Sequence, residues 1–150
     1  MNIIIREAEI TDADTIISFQ QQMAIETEGM ELRHEIISAG VRAVFDDPSK
    51  GTYYIAEDNG EIAGSFLITP EWSDWRNCYI WWFQSVYVLP LYRRKGIFSI
   101  MYNETRKQAE SEGAGGLRLY VETENRVAMK TYEAMGMNGD HYRLYEWLKN

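Results

Sequence analysis

Val86-Tyr87-Val88-Leu89-Pro90-Leu91-Tyr92-Arg93-Arg94-Lys95-Gly96-Ile97-Phe98-Ser99 carries a β-rich run into a proline-stopped turn, three consecutive cations, a glycine and the start of a helical pattern. A helix start leaves its first backbone N–H groups without helical acceptors, and the helix dipole adds partial positive charge there. Gly96 lets the backbone come close where a side chain would intervene, and the adjacent bases supply countercharge. Two readings stand from physics alone: an anion-binding turn suited to phosphate, or a basic turn that solubilises a helix start.

Working outward, Tyr79 to Leu89 reads as a long aromatic strand stopped by Pro90, and Gly96 to Glu112 as a helix burying Ile97, Ile100, Met101 and Ala109. Upstream, Ile3 to Arg6 is a β-branched strand, and Thr11 is the expected N-cap of a helix through Ala13, Ile16, Ile17, Met23, Ala24 and Thr27. A second helix is expected to hold Leu32, Ile36, Gly40, Val41, Val44 and Phe45, ending before Pro48. Thr52–Glu57 and Glu61–Thr69 form a hairpin over Asp58-Asn59-Gly60, and Pro70 to Asn77 is expected to be a loop. Downstream, Gly113-Ala114-Gly115-Gly116 breaks the helix and Leu117 to Glu122 resumes a strand. Asn125 caps a short helix with Val127, Ala128, Thr131, Tyr132 and Met135 on one face and Gly136 after its end, and Tyr142 to Leu148 is expected to be a last strand. The order is β-α-α-β-β-β-α-β-α-β, a mixed α/β (α+β mixed sheet) domain spanning residues 1–150 as one unit.

Composition narrows the classes. At 150 residues with 45% hydrophobic and 25% charged residues, the chain is an ordinary globular domain rather than a disordered or collagen-like one. No apolar run reaches the roughly 18 residues of a bilayer span, so no membrane association is expected. The first residues lack the pattern of a secretory signal, and one cysteine, Cys78, forms no internal disulfide; both point to a cytoplasmic protein. A net charge of −8 disfavours nucleic acid and, beyond solubility, favours cationic partners. The two histidines, His34 and His141, lie far apart, and no Cys-x-x-Cys or His-Glu-x-x-His spacing occurs, so no metal site is expected.

The opening stretch resembles the GNAT superfamily of N-acetyltransferases. The superfamily's signature is Arg or Gln, two residues, Gly, one residue, then Gly or Ala, just after a strand. Arg93-Arg94-Lys95-Gly96-Ile97 fits it, and Phe98 departs from it. A second block is similar as well: Leu117-Arg118-Leu119-Tyr120-Val121, then Asn125, Ala128, Tyr132-Glu133 and Gly136-Met137. The resemblance implies transfer of an acetyl group from acetyl-CoA to a primary amine, on a small molecule or a protein. It implies a pyrophosphate cradle at Arg93, Arg94, Lys95, Gly96, Ile97, Phe98 and Ser99. The pantetheine arm is expected along Val86, Tyr87 and Val88, with Asn125 and Ala128 also facing the cofactor. Tyr132 matches the residue that protonates the departing thiolate, and a homodimer is implied by family habit. Phe98 is expected to turn into the core or toward the pantetheine arm, leaving cofactor binding intact.

The residues themselves leave alternatives. Tyr132 sits at ordinary helical spacing with Ala128 and Met135, as a core tyrosine does, and Asn125 is equally an N-cap. On the acceptor side, Glu26 and Glu28 either face an amine or are a solvated helix end. Gln84 and Ser85 can order a water near the acetyl position, and Trp72, Asp74 and Trp75 either rim a pocket or cover a sheet edge. A dinucleotide-binding module is disfavoured because Gly113–Gly116 follows a helix rather than a strand. A non-catalytic acyl-CoA sensor on the same fold is the remaining rival.

Overall fold

Strand β1 (Ile3–Glu7) pairs antiparallel with β2 (Thr52–Asp58), and β2 turns back into β3 (Glu61–Ser73) through Asn59 and Gly60 at φ 49° and 86°. Two successive left-handed residues match the twist of a tight hairpin, which is why Asn-Gly stands there. Strand β4 (Cys78–Val88) pairs antiparallel with β3, and β5 (Gly116–Leu119) pairs parallel with β4, giving a mixed sheet in the order β1-β2-β3-β4-β5. This computed structural model describes residues 1–149, which divide into two compact units meeting at Leu119 and Tyr120.

In the first unit the sheet has a helix layer on each face. Helices α1 (Ala13–Glu28) and α2 (His34–Asp46) bury Ala13, Ile16, Ile17 and Val41 against Tyr53 and Ile55, with Leu67 packed alongside. Alternation sends Tyr54 and Phe66 to the other face, where α3 (Ile97–Glu112) brings Phe98 and Tyr102 against Phe83. Rings run continuously there: Tyr54 to Phe66 at 5.2 Å, Phe66 to Phe83 at 5.4 Å, Phe83 to Tyr102 at 6.2 Å. Phe66 and Phe83 are fully buried, and truncating either to alanine removes about 3–5 kcal/mol.

Several local expectations are corrected. Thr11 does not cap α1: Asp12 does the anchoring, accepting Arg6 through two bonds of 2.8 and 3.0 Å and the Glu9 amide at 2.8 Å. The Arg6 guanidinium holds the Asp12 carboxyl below the usual carboxylate range. On α2 the face toward the core is Ile37, Val41, Val44 and Phe45, while Ile36 is exposed. Pro70 does not end β3. The β2 pairing stops at Thr52↔Ile68, so beyond it β3 is open on one side, where a missing N–H breaks no ladder bond. The loop between β3 and β4 is therefore confined to 74–77.

The second unit holds helix α4 (Arg126–Ala134) and a trailing segment. Asn125 Oδ1 accepts the Ala128 amide at 3.2 Å, and Gly136 follows the helix at φ 91°, as expected of cap and stop. The strand expected over Leu117–Glu122 ends at Leu119. The last strand, expected over Tyr142–Leu148, is not formed among the described residues: no strand pairs with that segment.

Candidate active site

Across β3 and β4 the register runs Leu67↔Gln84 and then Ser65↔Tyr87, so Phe66 alone stands opposite Ser85 and Val86. Ser85 takes the extra residue at φ 52°, a left-handed conformation that costs a non-glycine residue roughly 1–2 kcal/mol. Gly64 lies beneath this bulge; a Cβ there would fall on the Tyr87 carbonyl oxygen and within 3.2 Å of the Val88 Cα. On the other side of β4 the parallel pairing with β5 ends at Phe83↔Leu119, one residue before the bulge begins. Beyond Phe83 that pairing offers β4 no further partner, so the strand edge from Gln84 to Val88 is left to other acceptors and donors.

Beyond β4 the chain passes Pro90–Tyr92, a single tight turn, and enters the cationic run. Arg94 at φ 62° and Gly96 at φ 76° are both left-handed, a winding that points successive amides to one side. The first helical bond of α3 is from the Ile100 amide to the Gly96 carbonyl, 3.2 Å. The amides of Ile97, Phe98 and Ser99 thus precede the ladder, at the positive end of a sixteen-residue helix. A Cβ on Gly96 meets nothing within 4 Å, so glycine is required there by its backbone angle rather than by space.

The three cations of the run are not equivalent. Arg93 is tied inward: its Nε donates to the Val88 carbonyl at 2.8 Å, its Nη2 meets Glu26 at 2.7 Å, and its guanidinium lies 5.3 Å over the Tyr87 ring. Arg94 and Lys95 are exposed, with Lys95 Nζ 5.8 Å from the Tyr92 ring. Phe98 turns onto the sheet, 5.8 Å from Phe83 and 6.3 Å from Tyr102, so the ring leaves the helix start and joins the core, one of the two outcomes expected of it.

On the α1 face, Glu26 is more than a solvated helix end. The Tyr87 hydroxyl lies 3.0 Å from both Glu26 Oε1 and Gln22 Oε1, and Glu26 Oε2 takes Arg93, joining the end of α1 to β4 and to the cationic loop. Burial first, and the Glu26 carboxylate second, push the Tyr87 phenol up, so it stays a donor at neutral pH. Glu28 is exposed at the last position of α1. Gln84 Nε2 donates to Thr69 Oγ1 at 2.7 Å. Trp72, Asp74 and Trp75 sit at the far tip of the β3–β4 hairpin, Trp75 89% exposed and Trp72 edge-on to Tyr79 at 5.0 Å. From Tyr79 to Ser85 is about 20 Å of strand, so the structure does not gather these three with Gln84 and Ser85.

A cluster the sequence reading passed over lies between the bulge and that tip. Trp82 Nε1 donates to Glu71 Oε1 at 3.3 Å, Arg118 Nη1 meets the same oxygen at 2.7 Å, and the Arg118 guanidinium stands 6.0 Å over the Trp82 ring. Thr69↔Trp82 and Trp82↔Arg118 are register partners, so three strands place Thr69, Glu71, Trp82, Gln84 and Arg118 on one face. Reading β3 as ended by Pro70 hid the cluster; the alternation of Leu67, Thr69 and Glu71 through that proline was the available signal.

In the second unit Tyr132 is half-buried on α4, and burial pushes its phenol above the ordinary tyrosine range. Ala128 is half-buried on the same helix, and the Asn125 side chain is engaged as its cap. Among the described residues no three His, Cys, Asp or Glu side chains gather as a metal ion needs.

Comparison with known proteins draws these features together. The model of the acetyltransferase (GNAT) family matches residues 13–137. An uncharacterized N-acetyltransferase of Bacillus subtilis, YhfO, is 29% identical over 145 residues, covering 93% of this chain and 95% of the relative. The crystal structure of a possible acetyltransferase from Clostridium difficile 630 is 42% identical with a TM-score of 0.90, covering 100% of this chain and 99% of that one. At 16% identity the fold is shared with AAC(6')-Iy, solved with a bisubstrate analogue, CoA-S-monomethyl-acetylneamine; its TM-score is 0.80 over 100% of this chain and 99% of that one. A strand that bulges as its parallel neighbour stops, a left-handed turn feeding a helix start, and a family match across both blocks agree: the chain belongs to the GNAT family of acetyltransferases.

Proposed function

We propose that this protein transfers the acetyl group of acetyl-CoA to a primary amine by direct attack. The observation that carries the reading is the bulge at Ser85 placed where β5 pairing ends, next to the helix start at Gly96. In this reading the amides of Ile97, Phe98 and Ser99 and the α3 dipole take the pyrophosphate, with Arg94 and Lys95 as countercharge. The amide-bearing pantetheine arm hydrogen-bonds to the backbone of Val86, Tyr87 and Val88, and Asn125 and Ala128 are further cofactor contacts carried over from the family motif.

The amine nitrogen, relieved of its proton by a water ordered at Gln84, forms the new bond to the thioester carbon. The carbon–sulfur bond breaks, and the thiolate takes a proton from Tyr132. Its raised phenol keeps that proton available at neutral pH. The acceptor is a cationic small-molecule amine, for which Glu71, shared with Arg118, offers a carboxylate oxygen, Trp82 an indole, and the −8 net charge a favourable field. Glu26 holds Arg93 and Tyr87 in place beside it. The protein is read as cytoplasmic, on its single cysteine, and as a homodimer.

Calorimetric titration with acetyl-CoA, with NAD as control, followed by thiol release over a panel of amines, tests this. Binding confined to acetyl-CoA with turnover on polyamines or amino sugars supports it. Binding without turnover on any amine, small or peptidic, makes the chain an acyl-CoA sensor instead, and no binding removes the cofactor reading.

A further inference from the structure

We infer that Asp58 and Tyr92 are positioning residues for the acyl donor, a hydroxyl–carboxylate strut that runs from the β2–β3 hairpin to the cationic turn 93–96 and sets its binding geometry. The inference rests on the reading of that turn as the donor site, and it adds two residues that lie outside the sequence motif.

The Tyr92 hydroxyl donates to Asp58 Oδ2 at 3.3 Å, joining residues 34 apart in the chain. The carboxylate is itself fixed. Asp58 ends β2, its backbone is in register with Ile3 and Glu61, and its Oδ1 accepts the Asn2 amide at 2.8 Å. Both members of the strut are half-buried. The main chain is tied in the same direction: the Leu89 amide donates to the Ala63 carbonyl at 2.9 Å, and the Tyr92 amide to the Leu89 carbonyl at 2.8 Å. The exit of β4 is thus bound to β3 by backbone at Leu89 and to the end of β2 by side chain at Tyr92.

What the strut holds is a backbone that does not hold itself. Arg94 stands at φ 62°, a region that a non-glycine residue keeps only where its surroundings over-determine it. Arg93 has two anchors, the Val88 carbonyl and Glu26. Tyr92 supplies a third from a different element, and its ring also carries the next cation, with Lys95 Nζ 5.8 Å from the ring centroid. One ring therefore orients the backbone of the turn and one of its countercharges together. The amides of Ile97, Phe98 and Ser99 follow directly, and a turn ordered in advance spares the ligand the cost of ordering it. Freeing Tyr92 should therefore weaken donor affinity and leave the rate of the bound complex alone.

Tyr92→Phe removes the hydroxyl and keeps the ring beneath Lys95, while Asp58→Ala removes the acceptor. Calorimetric titration with acetyl-CoA is expected to show about fivefold weaker binding for each variant, and no further loss when the two are combined. With an amine that turns over, KM for acetyl-CoA should rise by the same factor while kcat and the KM of the amine hold. Hydrogen exchange without ligand should quicken in Tyr92→Phe over residues 92–99 and stay unchanged through the rest of α3, a readout that does not need Asp58→Ala to fold. Unchanged affinity in a folded Tyr92→Phe overturns the inference, as does a lower thermal midpoint with affinity retained, which makes the pair a structural strut only. Losses that add in full in the double variant overturn it as well. A wild type that binds no acetyl-CoA fails the donor reading itself and takes this inference with it, a result distinct from equal binding by wild type and variant.

Discussion

The stretch from Ser85 through Ser99, the proposed donor side, and the sheet face around Glu71 meet only at β4, yet they are made of different material. The donor side is backbone: a left-handed Ser85, a left-handed Arg94 and Gly96, and three amides ahead of the α3 ladder. The acceptor face is side chain: a carboxylate, an indole, a guanidinium and two hydrogen-bonding polar groups delivered by β3, β4 and β5. In the proposed reading, backbone geometry recognises what stays constant whatever the acceptor, the pyrophosphate and pantetheine amides of the acyl donor. Side chains are free to vary without disturbing it, so they are where one acceptor is told from another.

The largest effect is expected at Tyr132, the proton donor of the proposed mechanism. Tyr132→Phe should lower kcat about 100-fold or more while leaving the acetyl-CoA dissociation constant unchanged. Because burial raises the wild-type phenol, the acid form persists through neutral pH and the rate should show no alkaline limb from this group below about pH 10. Stopped-assay kinetics across pH, beside calorimetry, check both halves. A variant that loses affinity and rate together would make Tyr132 a packing residue instead.

Next comes the glycine under the bulge. Gly64→Ala puts a Cβ onto the Tyr87 carbonyl, backbone that cannot swing aside, and should cost about 1–3 kcal/mol in thermal unfolding and weaken acetyl-CoA as β4 shifts. Gly40→Ala is its control: the new Cβ meets nothing within 4 Å in α2, and a helix interior should gain about 0.5–1 kcal/mol. Equal losses at the two positions would mean the close approach at the bulge carries no special burden.

The two sides were also unequally legible in the sequence, for the same reason. A left-handed turn before a helix restricts what stands at Gly96, so the motif shows through as a fixed residue at a fixed spacing. Glu71, Trp82 and Arg118 meet only because of β3–β4–β5 register, which no local pattern announces, and Pro70 looked like the end of β3 when it merely occupies an unpaired side. Thr11 is a good cap by type, but residues 10–12 form a tight turn ahead of α1 instead, with the Asp12 carboxylate held by Arg6 and the Glu9 amide. Residues 142–148 have the composition of a strand, yet none forms there among the described residues, because a strand needs a sheet edge that no local pattern supplies.

On the acceptor face, Glu71→Gln keeps an acceptor for Trp82 and Arg118 and removes the charge. For a cationic amine KM should rise about tenfold, equivalent to about 1.4 kcal/mol of lost binding, with kcat and acetyl-CoA affinity little changed. Trp82→Ala should follow the same split, since an indole face contributes a comparable amount to a bound cation. A neutral acceptor should show neither change. If kcat falls while KM holds, Glu71 is acting on the proton rather than on recognition.

The smallest effect should come from a side-chain pair that ties the proposed donor side to α1. Glu26 and Arg93 meet at 2.7 Å but are 38% and 42% exposed, so water screens them and Glu26→Gln should cost less than about 1 kcal/mol of stability. The glutamine still accepts from Tyr87, and Arg93 keeps its bond to the Val88 carbonyl, so the loop retains its path. Acetyl-CoA affinity should therefore stay within about threefold of the wild type, roughly half a kcal/mol. A tenfold loss would show that the donor side depends on this side-chain clamp as well as on its left-handed backbone, and that the division between a backbone-built cradle and a side-chain-built acceptor face is drawn one residue too sharply.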